Sequence, residues 1–409
     1  MKRWKKIALV LVGLLVLSQA PFVYRRYRLG RLRAAIDSVN ASRAPASADD
    51  PFVDYKGVLH VHSSLGGHST GTLDEIVQAA RANDLAFVVM TEHPSKYVDT
   101  AAATLKGTHE GVLFVNGSEL SAANDERLFV VPGPSAPGAG PAAPDAQALV
   151  ERARAEGRLA LVAYPEKIRD WGLLQGFDGI EVYNLYTNSK RIRPGLLFFD
   201  GLWSYRSHAD LLFSTFYERP DENLRRWDEL CAARGLRLTA VAGNDAHSNV
   251  GLRLGDRTGK EFLGVRLDPY ERSFSVVRNH VLLERVQPLA AGSLAAALRH
   301  GRSYIAFDIF GDSTGFRFTA HSPVETKTMG DEIALPAGGE VRLKIRTPAA
   351  ARVVFFRDGQ VIRELEAGTD AELAVGERGV YRVEVYLAGL RDFLGERKPW
   401  IISNPIYVR

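Results

Sequence analysis

Val58-Leu59-His60-Val61-His62 is a short apolar run of the kind that forms β-strands, and it ends in two metal-binding side chains. In a strand, residues i and i+2 point to the same side of the sheet. His60 and His62 are therefore predicted to face one metal ion together. One His-x-His pair is a weak signal by itself, so the prediction depends on the rest of the chain.

Three later segments repeat this form, in which an apolar run precedes a group that can bind a metal. They are Thr91-Glu92-His93 after residues 87–90, Ser118-Glu119 after residues 112–115, and Asp245-Ala246-His247 after residues 238–241. A further histidine, His68, lies six residues after His62. A (β/α) barrel builds metal sites from imidazoles and carboxylates at the ends of several parallel strands. The combination predicts a hydrolytic metal centre.

Helix signals lie between these strands. Thr72 and Glu75 form a capping-box pattern that predicts a helix over residues 76–82. Asp145 is the predicted N-cap of a helix that ends at Gly157, and another helix is predicted from about Glu222 to Gly235. The alternation of strands and helices predicts β/α units around a parallel sheet.

The arrangement resembles the PHP (polymerase and histidinol phosphatase) family of metal-dependent hydrolases, over roughly residues 55 to 250. The segment 66–75, Gly-Gly-His-Ser-Thr-Gly-Thr-Leu-Asp-Glu, also resembles the branch that includes amide- and carbamate-cleaving enzymes. The resemblance implies an α/β fold, a distorted (β/α)7 TIM-like barrel with metals on its C-terminal rim. Members commonly hold three metals and cleave phosphate esters.

The resemblance also implies a set of metal ligands. His60, His62 and Asp245 are expected to bind one ion, and Glu119 is expected to bridge to a neighbouring ion. The second ion is then expected to bind His68, His93 and His247. Two divalent ions, Zn, Mn or Fe, would leave room for a bridging hydroxide, and the mixed ligands do not choose among these metals.

Two further residues, Glu92 and Tyr164, are candidates for catalytic roles. Glu92 precedes His93, so both reach the site only if the strand bends or ends there, and Glu92 could be a ligand or could orient an imidazole. Tyr164 precedes Pro165 where the family usually has His. A neutral phenol is a poor ligand, with a reference pKa of about 10, so a third metal is not expected. The Tyr164 phenol could donate to a substrate oxygen or only fill the vacated space.

The resemblance implies a phosphoesterase that acts on a small-molecule substrate through a metal-bridging hydroxide. Two alternatives stay open: amide, ester or carbamate cleavage at the same site, and a degenerate barrel that binds ligands without turnover. A nucleic-acid partner is not expected. Nine of the 52 basic residues lie in positions 1–33, which contain no acidic residue, so the remainder has 43 basic and 48 acidic residues.

The N-terminus carries an uncharged run from Ile7 to Tyr24 with basic residues on both sides. Its length lies between a signal-peptide core and a full membrane span. We expect an uncleaved anchor that holds the body outside the cytoplasm, in the periplasm or at the cell surface. The alternative is secretion after cleavage near Ala20, which Pro21 disfavours. The single cysteine, Cys231, is predicted to lie in a helix core.

The predicted organisation has four parts. Residues 1–33 form the membrane anchor or signal segment, 34–52 a linker, 53–302 the PHP-type hydrolase domain and 303–409 a small antiparallel β-sandwich. The sandwich is predicted from alternating apolar and polar residues, as in 341–346 and 381–385, and from an Asp358-Gly359 hairpin turn. Residues 131–144 are predicted to be an irregular loop. The aromatic segment 184–220 is either a wall over the site or a local apolar cluster.

Overall fold

The protein begins with one long helix, α1 (Arg3–Ala41), in a computed structural model that describes residues 3–134, 144–190, 193–214, 217–255 and 261–409. Within those ranges, α1 is the one helix long and apolar enough to cross a membrane, with a mean hydropathy of 2.2 in its most apolar window. Its last turns instead pack on the body through Leu29, Leu32, Ile36 and Val39. The helix thus continues to Ala41 and includes residues 34–41 of the segment predicted as a linker.

Both strands and helices follow α1. In chain order they are β1 (Phe52–Val61), α2 (Leu73–Ala82), β2 (Phe87–Met90), α3 (Thr100–Ala103), β3 (Gly107–His109), β4 (Val112–Val115), β5 (Ser118–Ser121), β6 (Arg127–Val131), α4 (Ala146–Ala155), β7 (Leu159–Ala163), β8 (Gly179–Asn184), α5 (Leu185–Ser189), α6 (Pro194–Ser214), α7 (Asp221–Ala232), β9 (Thr239–Ala246), β10 (Gly251–Gly255), β11 (Glu261–Arg266), α8 (Tyr270–Val276), β12 (Arg278–Glu284), α9 (Ala291–His300) and β13 (Ser303–Ala306).

The remaining elements are mostly strands. They are β14 (Arg317–His321), β15 (Thr326–Thr328), β16 (Glu332–Ile333), β17 (Val341–Arg346), β18 (Ala351–Arg357), β19 (Gln360–Ala367), β20 (Asp370–Val375), β21 (Gly379–Leu387), α10 (Arg391–Leu394), β22 (Ile401–Ser403) and β23 (Ile406–Val408).

The predicted N-caps Thr72 and Asp145 are confirmed, although α2 begins at Leu73 rather than at residue 76. At α2 the Glu75 amide donates to Thr72 Oγ1 at 3.2 Å and the Thr72 amide donates to Glu75 Oε2 at 2.9 Å, which is the capping box. At α4 the Ala148 amide donates to Asp145 at 2.7 Å. These caps satisfy backbone donors that have no partner inside the helix, so they fix where each helix begins.

A large sheet carries the chain segments that precede the predicted ligands. The sheet runs in the order β5-β6-β7-β8-β9-β1-β2-β4. In this order every neighbouring pair from β7 onward is parallel, and the last of these pairs is β2 with β4. In contrast, β6 is antiparallel to both of its neighbours, β5 and β7. A single parallel bridge between Glu92 and Ser118 joins the residues after β2 to the start of β5. The fold is therefore mixed α/β, with a large sheet and helices.

Hydrogen bonding continues from this sheet into the C-terminal region. β12 is antiparallel to β1, β13 to β12, and β22 to β13. A separate antiparallel sheet has the order β15-β14-β17-β20. The Asp358-Gly359 hairpin forms between β18 and β19 as predicted, and β17 alternates between buried and exposed residues as predicted.

The prediction that the strand over 381–385 has one exposed polar face is wrong, because β21 is buried along its whole length. Arg382 donates to both carboxylate oxygens of Asp228 on α7, at 2.7 and 2.8 Å, and to Glu384 at 2.7 Å. Buried charges are tolerated when they are paired in this way. The alternation of polar and apolar residues in β21 therefore did not show that its polar face is also buried. Of the predicted loop 131–144, residues 135–143 lie outside the described residues.

Candidate metal centre

The predicted ligands converge at the carboxyl ends of the parallel strands. His60 and His62 lie at the end of β1, His93 follows β2, and Asp245 lies near the end of β9. Glu119, on β5, is brought to the same place by the bridge between Glu92 and Ser118. Side chains from strands far apart in sequence thereby share one position at the sheet's edge.

Three residues of this centre have a left-handed backbone that non-glycine residues rarely adopt. The φ angles are 66° at His60, 47° at Tyr164 and 49° at Asp245. At His60 the pairing of β1 with its neighbours shifts register between Leu59 and Val61. Such strain persists only where the surrounding structure imposes it, and it is common at functional sites.

Glu119 lies at the middle of the cluster. Its Oε2 atom is 3.2 Å from His60 Nε2, 3.3 Å from His62 Nε2 and 3.5 Å from His93 Nε2. Burial favours the neutral carboxyl group, but hydrogen bonding with His60 and His62 keeps the pKa of Glu119 far below its usual range. Glu119 is thus an anion within reach of both expected metal positions, as a bridging carboxylate must be.

The buried donor atoms fit divalent ions. Within the described part of the chain, His62 Nδ1 and Asp245 Oδ1 have no hydrogen bond of good geometry, although both side chains are almost fully buried. The other ring nitrogen, His62 Nε2, contacts Glu119 at 3.3 Å. Burial lowers the pKa of His62 to about 3, so its imidazole is neutral and offers a lone pair. Unsatisfied buried polar atoms are costly, and neutral imidazole with carboxylate is a usual donor set for transition metals.

Two groups of donors lie close enough to hold an ion, and in both groups every donor atom is within 4.8 Å of the others. One contains His60, His62 and Asp245, and the other contains His62, His93 and His247. His68 belongs to neither group; it is exposed, and its ring packs edge-on against His93 at 4.8 Å between centroids. The first group matches the expected ligand set, while in the second group His62 takes the position expected for His68.

Glu92 is buried beneath the loop that follows β1. It accepts hydrogen bonds from the Ser63 amide at 3.1 Å, the Ser63 hydroxyl at 2.6 Å and the Thr104 hydroxyl at 3.0 Å. Burial raises its pKa despite these bonds. The contacts describe a carboxylate that fixes the backbone beside His62.

Tyr164 donates its phenol hydrogen to Asp245 Oδ2 at 2.5 Å. Burial and the charge of Asp245 raise the phenol's pKa far above its ordinary value, so the group keeps its proton. The ring also packs edge-on against His60, with 5.6 Å between centroids. Tyr164 therefore orients one oxygen of Asp245, a role different from the direct substrate contact considered from sequence.

Sequence reasoning missed Glu181 and Asn184, both on β8. His60 Nδ1 lies 2.6 Å from Glu181 Oε1, and both side chains have no exposed surface. Asn184 Nδ2 donates to Glu181 and, at 3.2 Å, to Asp245 Oδ2. A carboxylate that bonds the outer nitrogen of a ligand histidine fixes its tautomer and orientation. The one sequence feature that could have indicated Glu181 is its position as a single acidic residue within the mostly apolar stretch 179–184, Gly-Ile-Glu-Val-Tyr-Asn.

The centre opens into a pocket of about 400 Å³ whose rim carries three cations, Arg127, Lys167 and Lys190. Arg127 Nη1 lies 3.2 Å from Glu119 Oε1, and Lys167 Nζ lies 2.7 Å from Asp125. Burial opposes the charge of Arg127, but bonding to Asp125 and the charge of Glu119 raise its pKa. No pattern in the sequence indicated Arg127. The three cations thus line the pocket together with Glu166, and Arg127 and Lys167 are both paired with carboxylates.

No protein-family model matches the sequence. A search of curated proteins likewise finds no match. Among solved structures, PsfC from Pseudomonas syringae PB-5123 is similar with a TM-score of 0.37 and 15% identity, covering 62% of this chain and 92% of its own.

Two further solved structures are similar to part of the chain. A protein from Bifidobacterium adolescentis, assigned as a metal-dependent phosphoesterase, has a TM-score of 0.28 and 11% identity, with 53% of this chain and 94% of its own covered. An amidohydrolase from Chromobacterium violaceum, with bound sulfate and no metal, has a TM-score of 0.28 and 15% identity, with 52% and 92% covered. At these values the chemistry of the centre rests on its own side chains.

Proposed function

We propose that this protein is a metal-dependent hydrolase of the PHP type that cleaves phosphoester bonds. The observation that carries the proposal is the pair of donor groups that share His62 and surround Glu119. Because one imidazole nitrogen holds only one ion, His62 would serve one of two ions, and the second would be held by His93 and His247 with Glu119 shared between them. The proposed ligands are His60, His62, His93, Glu119, Asp245 and His247, with His68 an additional candidate beside His93.

The chain's own residues would prepare this centre for divalent ions such as Zn, Mn or Fe. When bound, such ions lower the pKa of a water molecule and polarise a substrate oxygen. Glu181 would hold the His60 ring through Nδ1 and leave Nε2 directed at the centre. Tyr164 and Asn184 would hold Asp245 Oδ2, and Oδ1 would stay free to bind.

The basic side chains at the rim of the pocket favour an anionic substrate. Arg127, Lys167 and Lys190 line the same pocket as the proposed ligands. A guanidinium group pairs well with phosphate oxygens, whereas a neutral amide or ester would gain little from three cations. This favours phosphoesters over the amide, ester and carbamate alternatives.

The finer fold assignments belong to the same proposal. We propose that the eight strands from β5 to β4 form a distorted barrel, one strand more than the seven expected from the resemblance, with the bridge between Glu92 and Ser118 as its weakest junction. We also propose that the sheet β15-β14-β17-β20 and the strands around β21 form the sandwich, since they contribute to one apolar core. The apolar half of α1 is proposed to anchor the protein in a membrane with its body outside the cytoplasm.

The test is hydrolysis by purified full-length protein loaded with Mn²⁺ or Zn²⁺, on a panel of phosphoesters, amides, esters and carbamates. We expect phosphate release, and we expect Asp245→Ala to abolish it. Arg127→Met should raise KM for phosphoesters about 10-fold or more while metal content is unchanged, because a charged hydrogen bond is worth about 1.5–3 kcal/mol. Turnover of amides alone would favour the alternative, and a metal-loaded protein inactive on the whole panel would favour a binding protein.

A further inference from the structure

Helix α6 exposes large apolar side chains along its first half. Leu196 is 43% exposed, Phe198 61% and Leu202 69%. Phe198 and Leu202 are four residues apart, so they lie on the same face of the helix. Contiguous exposed apolar residues of this size mark an interaction surface more often than chance exposure does.

The same half of α6 packs beside α1. The rings of Phe22 and Phe199 are 5.2 Å apart, and Trp203 Nε1 donates to Gln19 Oε1 at 3.1 Å. Arg25 pairs with Asp200 at 3.0 Å.

Farther along both helices, Arg26 Nη1 donates to the Trp203 carbonyl at 2.7 Å, and Arg33 pairs with Asp210. Contacts therefore advance along the two helices in the same direction. The two helices run parallel, with the start of α6 toward the apolar end of α1.

These contacts fix the position of α6 along the axis of α1, relative to the apolar run. The run ends at Tyr24 and arginines follow it. In a membrane-crossing helix, the hydrocarbon boundary lies where an apolar run gives way to Tyr and Arg. Phe199 faces Phe22 just inside that boundary, so Phe198 and Leu202 lie at the boundary and Leu196 lies on its apolar side.

Helix α6 is also joined to the candidate metal centre. Tyr186 and Thr187, on the preceding helix α5, line the pocket of the centre. A neighbouring cavity of about 90 Å³, lined largely by apolar side chains, shares Asp245 and Tyr186 with that pocket and includes Leu197 of α6 in its wall. One apolar wall thus connects α6 with the centre.

We propose that the first half of α6 contacts the lipid bilayer that α1 enters, so that the metal centre is held against the membrane surface. The inference rests on the proposed role of α1 as an anchor. The partner is the bilayer, because the exposed residues continue the apolar surface of α1 at its boundary and a basic side chain borders them. Arg26 lies there on α1, where it donates to the neutral Trp203 carbonyl and Ser207 hydroxyl, and such a cation attracts lipid phosphates.

The test uses full-length protein reconstituted in vesicles of phosphatidylcholine and phosphatidylglycerol. Phe198→Cys and Leu202→Cys are each labelled with an environment-sensitive fluorophore, since Cys231 is buried and does not compete. The matched control is Val286→Cys. Val286 is 90% exposed and follows β12 at the end of the sheet where β1 begins, opposite the metal centre.

We expect flotation of all three labelled proteins with the vesicles. Lipids with a quencher on the acyl chain should remove most of the fluorescence at positions 198 and 202 and leave that at 286 unchanged. Flotation without quenching at 198 and 202 overturns the α6 contact and leaves the anchor intact. A blue-shifted but unquenched label would point to a second copy of the chain as the occupant and also overturns the contact. Protein that does not float contradicts both the anchor and the contact.

Discussion

Removing the negative charge behind His60 tests whether Glu181 prepares the proposed metal centre. His60 Nδ1 and Glu181 Oε1 are 2.6 Å apart, and both side chains are completely buried. Glu181→Gln keeps the size of the side chain but removes the charge that fixes the imidazole tautomer. Loss of such a partner lowers metal affinity about 10- to 100-fold, equivalent to about 1.4–2.7 kcal/mol.

The measurement is a metal titration of purified full-length protein in competition with a chromophoric chelator. Asp178→Asn is the matched control, because Asp178 precedes the same strand at its other end, where it accepts from the Ala160 amide at 2.8 Å and pairs with Arg299. We expect the Glu181 variant to bind metal at least about tenfold more weakly and the control to bind it as the natural protein does.

Thermal unfolding without metal separates positioning from packing. A residue that only fills the core would lower the Tm equally with and without metal, whereas a positioning residue should reduce the stabilisation that metal gives. If Glu181→Gln binds metal within twofold of the natural protein and remains folded, the proposed role of Glu181 is refuted.

Three further predictions follow from other buried groups. Purified protein should contain about two divalent ions per chain, and Glu119→Ala should lower both occupancies in elemental analysis, because Glu119 contacts donors of both groups. Tyr164→Phe should lower turnover more than metal affinity, and Tyr164→His should raise the metal content toward three ions; no change in either variant would mean that Tyr164 is packing. His280 lies between Asp54 at 2.8 Å and Asp308 at 3.0 Å. Burial opposes its charge, but the two carboxylates raise its pKa from 6.5 to about 9. Protonated His280 therefore stabilises the fold fully below pH 6.5, and this stabilisation is lost as the pH rises through about 9. The free energy of unfolding, measured with denaturant, should fall by up to about 3 kcal/mol over this range. His280→Gln should not show this decrease.

The pattern of the sequence was sufficient for features that depend on neighbours a few residues apart. The apolar run before His60 and His62 indicated a strand that ends at these residues, and the Thr72–Glu75 capping box marked the start of α2. The Asp358-Gly359 turn likewise marked a hairpin. Each of these signals involves side chains within four positions of each other, so the local backbone geometry decides it.

Contacts between distant segments were decided only by the tertiary structure. Glu181 lies 121 residues from the histidine it holds, and nothing local to either residue pairs them. For the same reason, the sequence could not predict that Arg382 is buried against Asp228. It also could not predict that both donor groups contain His62. Sequence patterns indicated candidate donor side chains and the strands after which they lie. The pairing of strands around the sheet decided which of them meet, because only that pairing sets the distances between residues far apart in the chain.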